Sequence, residues 1–256
     1  MTPLLETRGL TKTFGGLKAV QGVDLCVGEN RIVSVIGPNG AGKTTFFNCL
    51  SGIYRPDAGT ITLVGRDVAG RAPHEVCRLG LARTFQNIRL FTEMTVLENV
   101  MVAQFQHRSI SPLPLLFRSS KYSEAENKNR EEALEFLEIV DLAGRADDLA
   151  GSLAYGLQRR LEIARALATR PRLLLLDEPA AGMNPQETVE MVRLISTIRE
   201  RGLAVLLIEH HMKVVMSISD EILVLDHGIP IAHGEPEAIR NDPQVIKAYL
   251  GGEISA

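Results

Sequence analysis

The chain has 256 residues and carries 28 basic against 31 acidic side chains, a net charge of −3. It therefore lacks the basic excess of a dedicated nucleic-acid binder, and no nucleic-acid partner is expected. A hydrophobic content of 45 %, an aromatic content of 5 % and the absence of tryptophan suit a soluble chain that buries a core in one domain or two unequal lobes.

The opening residues 4–37 read as short strands joined by glycine turns. Val20, Val23, Leu25 and Val27 alternate as in a half-buried strand, and RIVSVIG (31–37) reads as a buried one. KTTFFNCL (43–50) follows as a helix, and IYRPDAGTITLVGRDV (53–68) as turn, strand, turn, strand, which suggests an antiparallel side sheet. From about Pro73 to Leu149 the pattern is helical and loopy, with Ala133, Leu134, Leu137 and Val140 on one stripe of a surface helix. Residues 88–155 thus read as a mostly helical subdomain inside one domain spanning 1–251, whose core is 1–87 and 156–251. The βα rhythm then resumes: strand 172–178, helix 186–202, strand 203–209, a helix near 212–220 and strand 222–228. That alternation predicts an α/β fold with a buried, mainly parallel sheet and crossover helices. Cys26, Cys49 and Cys77 lie in no metal-type spacing, which points to a reduced cytosolic setting. The start, MTPLLETRGL, has no signal-peptide pattern, and runs such as LLLL (173–176) are too short to cross a bilayer, so work at a membrane requires a partner to hold the chain there.

Three stretches carry chemistry. GPNGAGKT (37–44), between an apolar strand and a helix, matches the phosphate-loop pattern in full. Its glycines let successive N–H groups converge on phosphate oxygens; Lys43 supplies a point charge at the β- and γ-phosphates and Thr44 a hydroxyl for Mg²⁺. LLLLDEP (173–179) ends an apolar strand in Asp177, placed to serve the Mg²⁺, with Glu178 next to it to orient or deprotonate the attacking water. Together they imply a nucleoside triphosphatase. SLAYGLQRRLEIARAL (152–167) opens a helix behind a short glycine loop and crowds Gln158, Arg159 and Arg160 at its start, which reads as a second anion site.

With both motifs in place, SLAYGLQRR resembles the signature loop of ATP-binding-cassette (ABC) ATPases. The resemblance implies a P-loop core with mainly parallel sheet, an antiparallel β subdomain and a helical subdomain. It implies a pair of such subunits sandwiching two ATPs head to tail, with Leu153, Ala154, Tyr155, Gly156 and Leu157 covering the partner's ATP. By position it makes Phe14 the aromatic that stacks on adenine, and Gly37, Pro38, Asn39, Gly40, Ala41, Gly42, Lys43, Thr44 and Thr45 the ATP cradle. Gln86 becomes the glutamine that senses the γ-phosphate and joins Thr44 and Asp177 around Mg²⁺, His210 the switch histidine, and AGMNP (181–185) the loop that contacts the opposite subunit. Departures are Ala154 for the usual Ser, Leu157 for Gln, Asn184 for Asp and His211 for an acidic residue.

LARTFQNIRLFTEMTVLENVMVAQ (81–104), LIEHHMKVVM (207–216) and HGEPEAIRNDPQVIKAYLG (233–251) narrow the resemblance to the larger ATPase subunit of bacterial branched-chain amino-acid importers, and the extended segment at Gln106 to Lys128 fits that type. The implied partners are a second, paralogous ATPase subunit, two transmembrane permease subunits and, indirectly, an extracytoplasmic substrate-binding protein. The implied place is the cytoplasmic face of the bacterial inner membrane, held there by the permeases. Importers of urea, amides or other amino acids remain open, as does a nucleotide-dependent regulatory or scaffold protein with little hydrolysis.

Overall fold

In the computed structural model, residues 3–105 and 120–251 are described. Ten strands and nine α-helices are found among them. The strands are β1 (Leu5–Phe14), β2 (Leu17–Val27), β3 (Ile32–Ile36), β4 (Ala58–Leu63), β5 (Arg66–Asp67), β6 (Leu81–Arg83), β7 (Leu173–Asp177), β8 (Ala204–Ile208), β9 (Glu221–Asp226) and β10 (Ile229–Gly234). The helices are α1 (Lys43–Leu50), α2 (Pro73–Arg78), α3 (Val96–Gln104), α4 (Ser120–Ile139), α5 (Tyr155–Ala168), α6 (Pro185–Glu200), α7 (Met212–Ile218), α8 (Pro236–Arg240) and α9 (Pro243–Gly251). Two compact units emerge, Met1–Gln86 with Arg172–Ala256, and Asn87–Pro171.

The first unit is built on a six-stranded sheet in the order β10-β9-β3-β8-β7-β6. β9, β3, β8, β7 and β6 run parallel, and β10 closes the edge antiparallel to β9. Period-two alternation lets the sheet bury both faces. Leu223 and Leu225 of β9 join Phe46, Phe47 and Leu50 of α1 on one side. Ile222 and Val224 join Val215 of α7, Ile239 of α8 and Val245 of α9 on the other. The antiparallel side sheet, ordered β2-β1-β4-β5, adds Leu5, Leu10, Val20, Val23, Ile61 and Leu63 to the α1 side. The expected α/β fold with a mainly parallel sheet and an antiparallel subdomain is therefore present. Two strands lie outside the sequence reading. β6 has only three residues, too few to show a period, and β10 carries Pro230, which is tolerated because this is an edge strand.

In the second unit Thr95 caps α3: its hydroxyl accepts from Glu98 N at 3.1 Å while Thr95 N donates to Glu98 Oε2 at 2.8 Å. Ala133, Leu137 and Val140 of the expected stripe are buried, with Leu134 half-buried. Fully buried Asn99 accepts from Phe91 N and donates to Phe91 O and Thr95 O, which fixes the loop before α3. The reading from sequence ended the helical subdomain at Tyr155, whereas this unit runs to Pro171. The reason is that α5, buried through Leu161, Ile163 and Ala164, packs on α3 and α4. Of the extended segment at Gln106 to Lys128, residues 106–119 lie outside the described residues.

Candidate active site

β3 delivers the chain into the loop 37–42, and α1 takes it up at Lys43. Two glycines are required sterically. A Cβ on Gly37 would lie 2.0 Å from Leu225 O, and one on Gly42, at φ +97°, would lie 2.1 Å from Ala19 O. Gly42 is also the N-cap of α1 and has no side-chain cap, so the helix start offers its N–H groups to an anion. Pro38 is half-buried, Asn39 and Gly40 are exposed, and Ala41 is buried. Lys43 Nζ donates to Gly37 O at 2.7 Å and Pro38 O at 2.9 Å, folding the ammonium onto its own loop. Burial pulls the Lys43 pKa down, while the charges of Glu178 and Asp177 pull it back up. Thr44 is exposed and Thr45 half-buried.

The acidic end of β7 sits in the same unit. Asp177 is buried and pairs with Arg83 of β6, Nη2 to Oδ2 at 2.8 Å. Arg83 Nη1 in turn donates to Asn48 Oδ1 at 2.7 Å and Ser51 Oγ at 2.9 Å, tying the carboxylate to α1. Glu178 follows with φ +49°, a left-handed conformation that costs a non-glycine residue on the order of 1–3 kcal/mol. That turn ends the strand and brings three expected site residues together. Gln86 Nε2 donates to Glu178 Oε2 at 3.1 Å, and His210 Nδ1 lies 3.8 Å from the same oxygen. Thr44, Gln86 and Asp177 carry a hydroxyl, an amide oxygen and a carboxylate, hard oxygen donors of the chemical kind that Mg²⁺ takes, with Asp177 held by Arg83.

Two residues that the sequence reading passed over stand out here. The signal for Arg83 in the sequence is its place three residues before Gln86 in ARTFQ. Glu209 was only the last residue of a strand, yet it is fully buried. A charged residue ending an apolar strand was the available clue.

Phe14 ends β1 on the hairpin whose next strand sets Ala19 against Gly42. Phe14 is 41 % exposed, with Tyr54 edge-on at 5.2 Å and Lys12 Nζ 5.3 Å from its ring centroid, which leaves it open to a stacking partner.

The second unit carries the loop before α5. Leu153 and Gly156 are buried, Ala154 and Tyr155 exposed, and Leu157 half-buried. Ala154 is the N-cap of α5 and provides no side-chain bond. The three polar side chains at this helix start are engaged within their own unit. Arg159 is fully buried, with Nη1 2.8 Å from Glu162 Oε2 and Nη2 3.3 Å from Tyr155 Oη. Arg160 lies 3.7 Å from Asp141, and Gln158 donates to Leu153 O at 3.0 Å. A buried guanidinium must pair within its own unit, so these side chains build α5, and its backbone N–H groups front the helix start. In the first unit Asn184, in the loop AGMNP, caps α6: it accepts from Glu187 N at 3.0 Å while its own N–H meets Glu187 Oε2 at 2.9 Å.

The parallel sheet, the phosphate loop after β3 and the adjacent carboxylates Asp177 and Glu178 at the end of β7 define a P-loop nucleoside triphosphatase. The family model described as ABC transporter matches residues 20–181, and that described as branched-chain amino acid ATP-binding cassette transporter matches residues 230–254. The high-affinity branched-chain amino acid transport ATP-binding protein BraF of Pseudomonas aeruginosa is 55 % identical, over 97 % of this chain and 98 % of its own. The corresponding protein LivG of Salmonella typhimurium is 51 % identical over the same shares, 97 % and 98 %. Among solved structures, the ADP conformation of an ATP-binding cassette of an ABC transporter matches with a TM-score of 0.84 at 32 % identity, covering 98 % of this chain and 100 % of that one. A dimeric post-hydrolysis state of an ATP-binding cassette bound to ADP and Pi matches with a TM-score of 0.76 at 25 % identity, covering 91 % and 98 %. The chain belongs to the ATP-binding proteins of ABC transporters, in the branched-chain amino acid branch of that family.

Proposed function

We propose that this chain hydrolyses MgATP to drive uptake of branched-chain amino acids. The observation that carries the reading is the meeting of Gln86 and His210 on Glu178, one residue beyond Asp177. Glu178 orients or deprotonates the attacking water, His210 and Gln86 report and stabilise the γ-phosphate, and Lys43 carries the β- and γ-phosphate charge. Thr44, Gln86 and Asp177 would hold Mg²⁺, which supplies charge neutralisation at the transferring phosphoryl group when bound. Phe14 stacks on adenine. Residues 153–157 cover the ATP of a second, paralogous ATPase subunit through backbone N–H groups. Two permease subunits hold the pair at the cytoplasmic face of the inner membrane, and an extracytoplasmic binding protein delivers the substrate. No described helix is long and apolar enough to cross a membrane, which fits a subunit held by others.

Glu178→Gln tests the chemistry. In the assembled complex turnover should fall about 100-fold or more while nucleotide affinity stays near wild type, since Lys43, Thr44 and Asp177 remain. Near-normal turnover overturns the role given to Glu178. The substrate is tested by ATPase stimulation with binding protein loaded with leucine, isoleucine or valine; stimulation by urea or amides instead would reassign it.

A further inference from the structure

Glu209 is wholly buried at the end of β8, and its two carboxylate oxygens serve two different loops. Oε1 accepts from Ala180 N at 3.0 Å, in the turn that follows Glu178. Oε2 accepts from His210 N at 3.1 Å and His211 N at 3.3 Å. The only basic side chain within ion-pair distance among the described residues is His211, whose Nδ1 lies 3.5 Å from Oε2. A carboxylate removed from water without a lysine or arginine is costly to keep, and here three main-chain N–H groups carry most of its compensation. Hydrogen bonds to an ionised carboxylate are stronger than those to a neutral acceptor, and the planar carboxylate spans a fixed distance. The two segments it joins therefore move together or break a bond to a buried charge.

From this geometry we infer that Glu209 is a positioning residue that ties the loop after Glu178 to the switch histidine. The Ala180 turn continues into the AGMNP loop, since Met183 N donates to Ala180 O at 3.2 Å and Asn184 then caps α6. A displacement of that loop reaches His210 through one side chain, and His210 already lies against Glu178. Glu209 touches neither the water nor the nucleotide; it sets where His210 stands when the loop is pressed. The inference rests on the roles proposed above for Glu178 and His210.

Glu209→Gln is the test, in the purified assembled complex. The amide keeps the size but has one oxygen, so one of the two loops meets an N–H₂ donor instead of an acceptor. Turnover should fall about 10-fold or more, with the isolated subunit's ATP affinity within about 2-fold of wild type. The discriminating measurement is a cycle with His210→Ala. If Glu209 works through His210, the double variant turns over no more slowly than His210→Ala alone, within about 2-fold. Losses that multiply would overturn the inference, as would wild-type turnover in Glu209→Gln. A variant that loses ATP binding and melts early would show Glu209 to be part of the fold only, which also overturns it. If His210→Ala itself hydrolyses ATP near the wild-type rate, the reading of His210 fails first and the inference falls with it.

Discussion

Arg83→Ala isolates the one buried guanidinium that holds the carboxylate at the end of β7. Both side chains of the Arg83–Asp177 pair are 5 % exposed, so water cannot replace what the truncation removes. Breaking such a pair from one side leaves an uncompensated buried charge and costs about 3–5 kcal/mol. Asn48 and Ser51 also lose a donor, but Ser51 Oγ keeps its bond to Phe47 O at 2.8 Å, so their share is small. A loss of about 4 kcal/mol, at about 2–4 °C per kcal/mol for a chain of this size, lowers the melting temperature by about 8–16 °C. Because the chain has two compact units, the melt should be followed with hydrogen exchange at the β7 amides, which report the unit that contains the pair. The charge can then be separated from the packing. Arg83→Ala with Asp177→Asn removes the orphaned charge and should melt several degrees above Arg83→Ala alone. A single variant that melts within about 2 °C of wild type would refute the reasoning, and so would a double variant no more stable than the single, since either requires Asp177 to reach solvent or another cation.

Phe14→Ala should weaken ATP affinity by about 1–2 kcal/mol through lost stacking, read with a fluorescent nucleotide; unchanged affinity would return the ring to its packing against Tyr54. Ala154→Ser gives α5 the side-chain acceptor its N-cap lacks and should stabilise the second unit by about 0.5–1 kcal/mol in urea denaturation. No gain would mean that the first-turn N–H groups are already satisfied, as Leu157 N and Gln158 N are by Ala154 O.

The parts of the fold that are legible in the sequence are those with a long apolar period. β3, β7, β8 and β9 each bury four or five successive residues between helices, and a run of that kind has few other readings. β6 was hidden because three residues carry no period, and its importance comes from a pairing with β7 across ninety residues of sequence. The phosphate loop was legible because its glycines answer local steric demands that a motif can state. Arg83 and Glu209 were not, because their partners are set by sheet order and by burial. Arg159 makes the same point from the other side: its place in the first turn of a helix is local, but its pairing with Glu162 in the buried interior of the unit is not legible in a motif.

The ends of β7 and β8 bring Asp177, Glu178 and Glu209 into one small region, since Asp177 pairs in register with Ile208 and Glu178 N donates to Ile208 O at 2.9 Å. Three like charges so placed repel unless each is compensated, and each is compensated differently. Asp177 is given a guanidinium and Glu209 is given main-chain N–H groups, and both are buried. Glu178 is given a glutamine amide, an imidazole and the nearby charge of Lys43, and its side chain keeps 20 % exposure. A base must exchange a proton with water, and of the three side chains Glu178 is the most exposed. The backbone makes that separation possible. Continued as a strand, residue 178 would point to the opposite face from 177 and into the packed layers; the left-handed turn at φ +49° ends the strand and carries it out of them. The strain at Glu178, the guanidinium on Asp177 and the burial of Glu209 are thus one arrangement, which keeps a single carboxylate of three available for the proposed proton transfer.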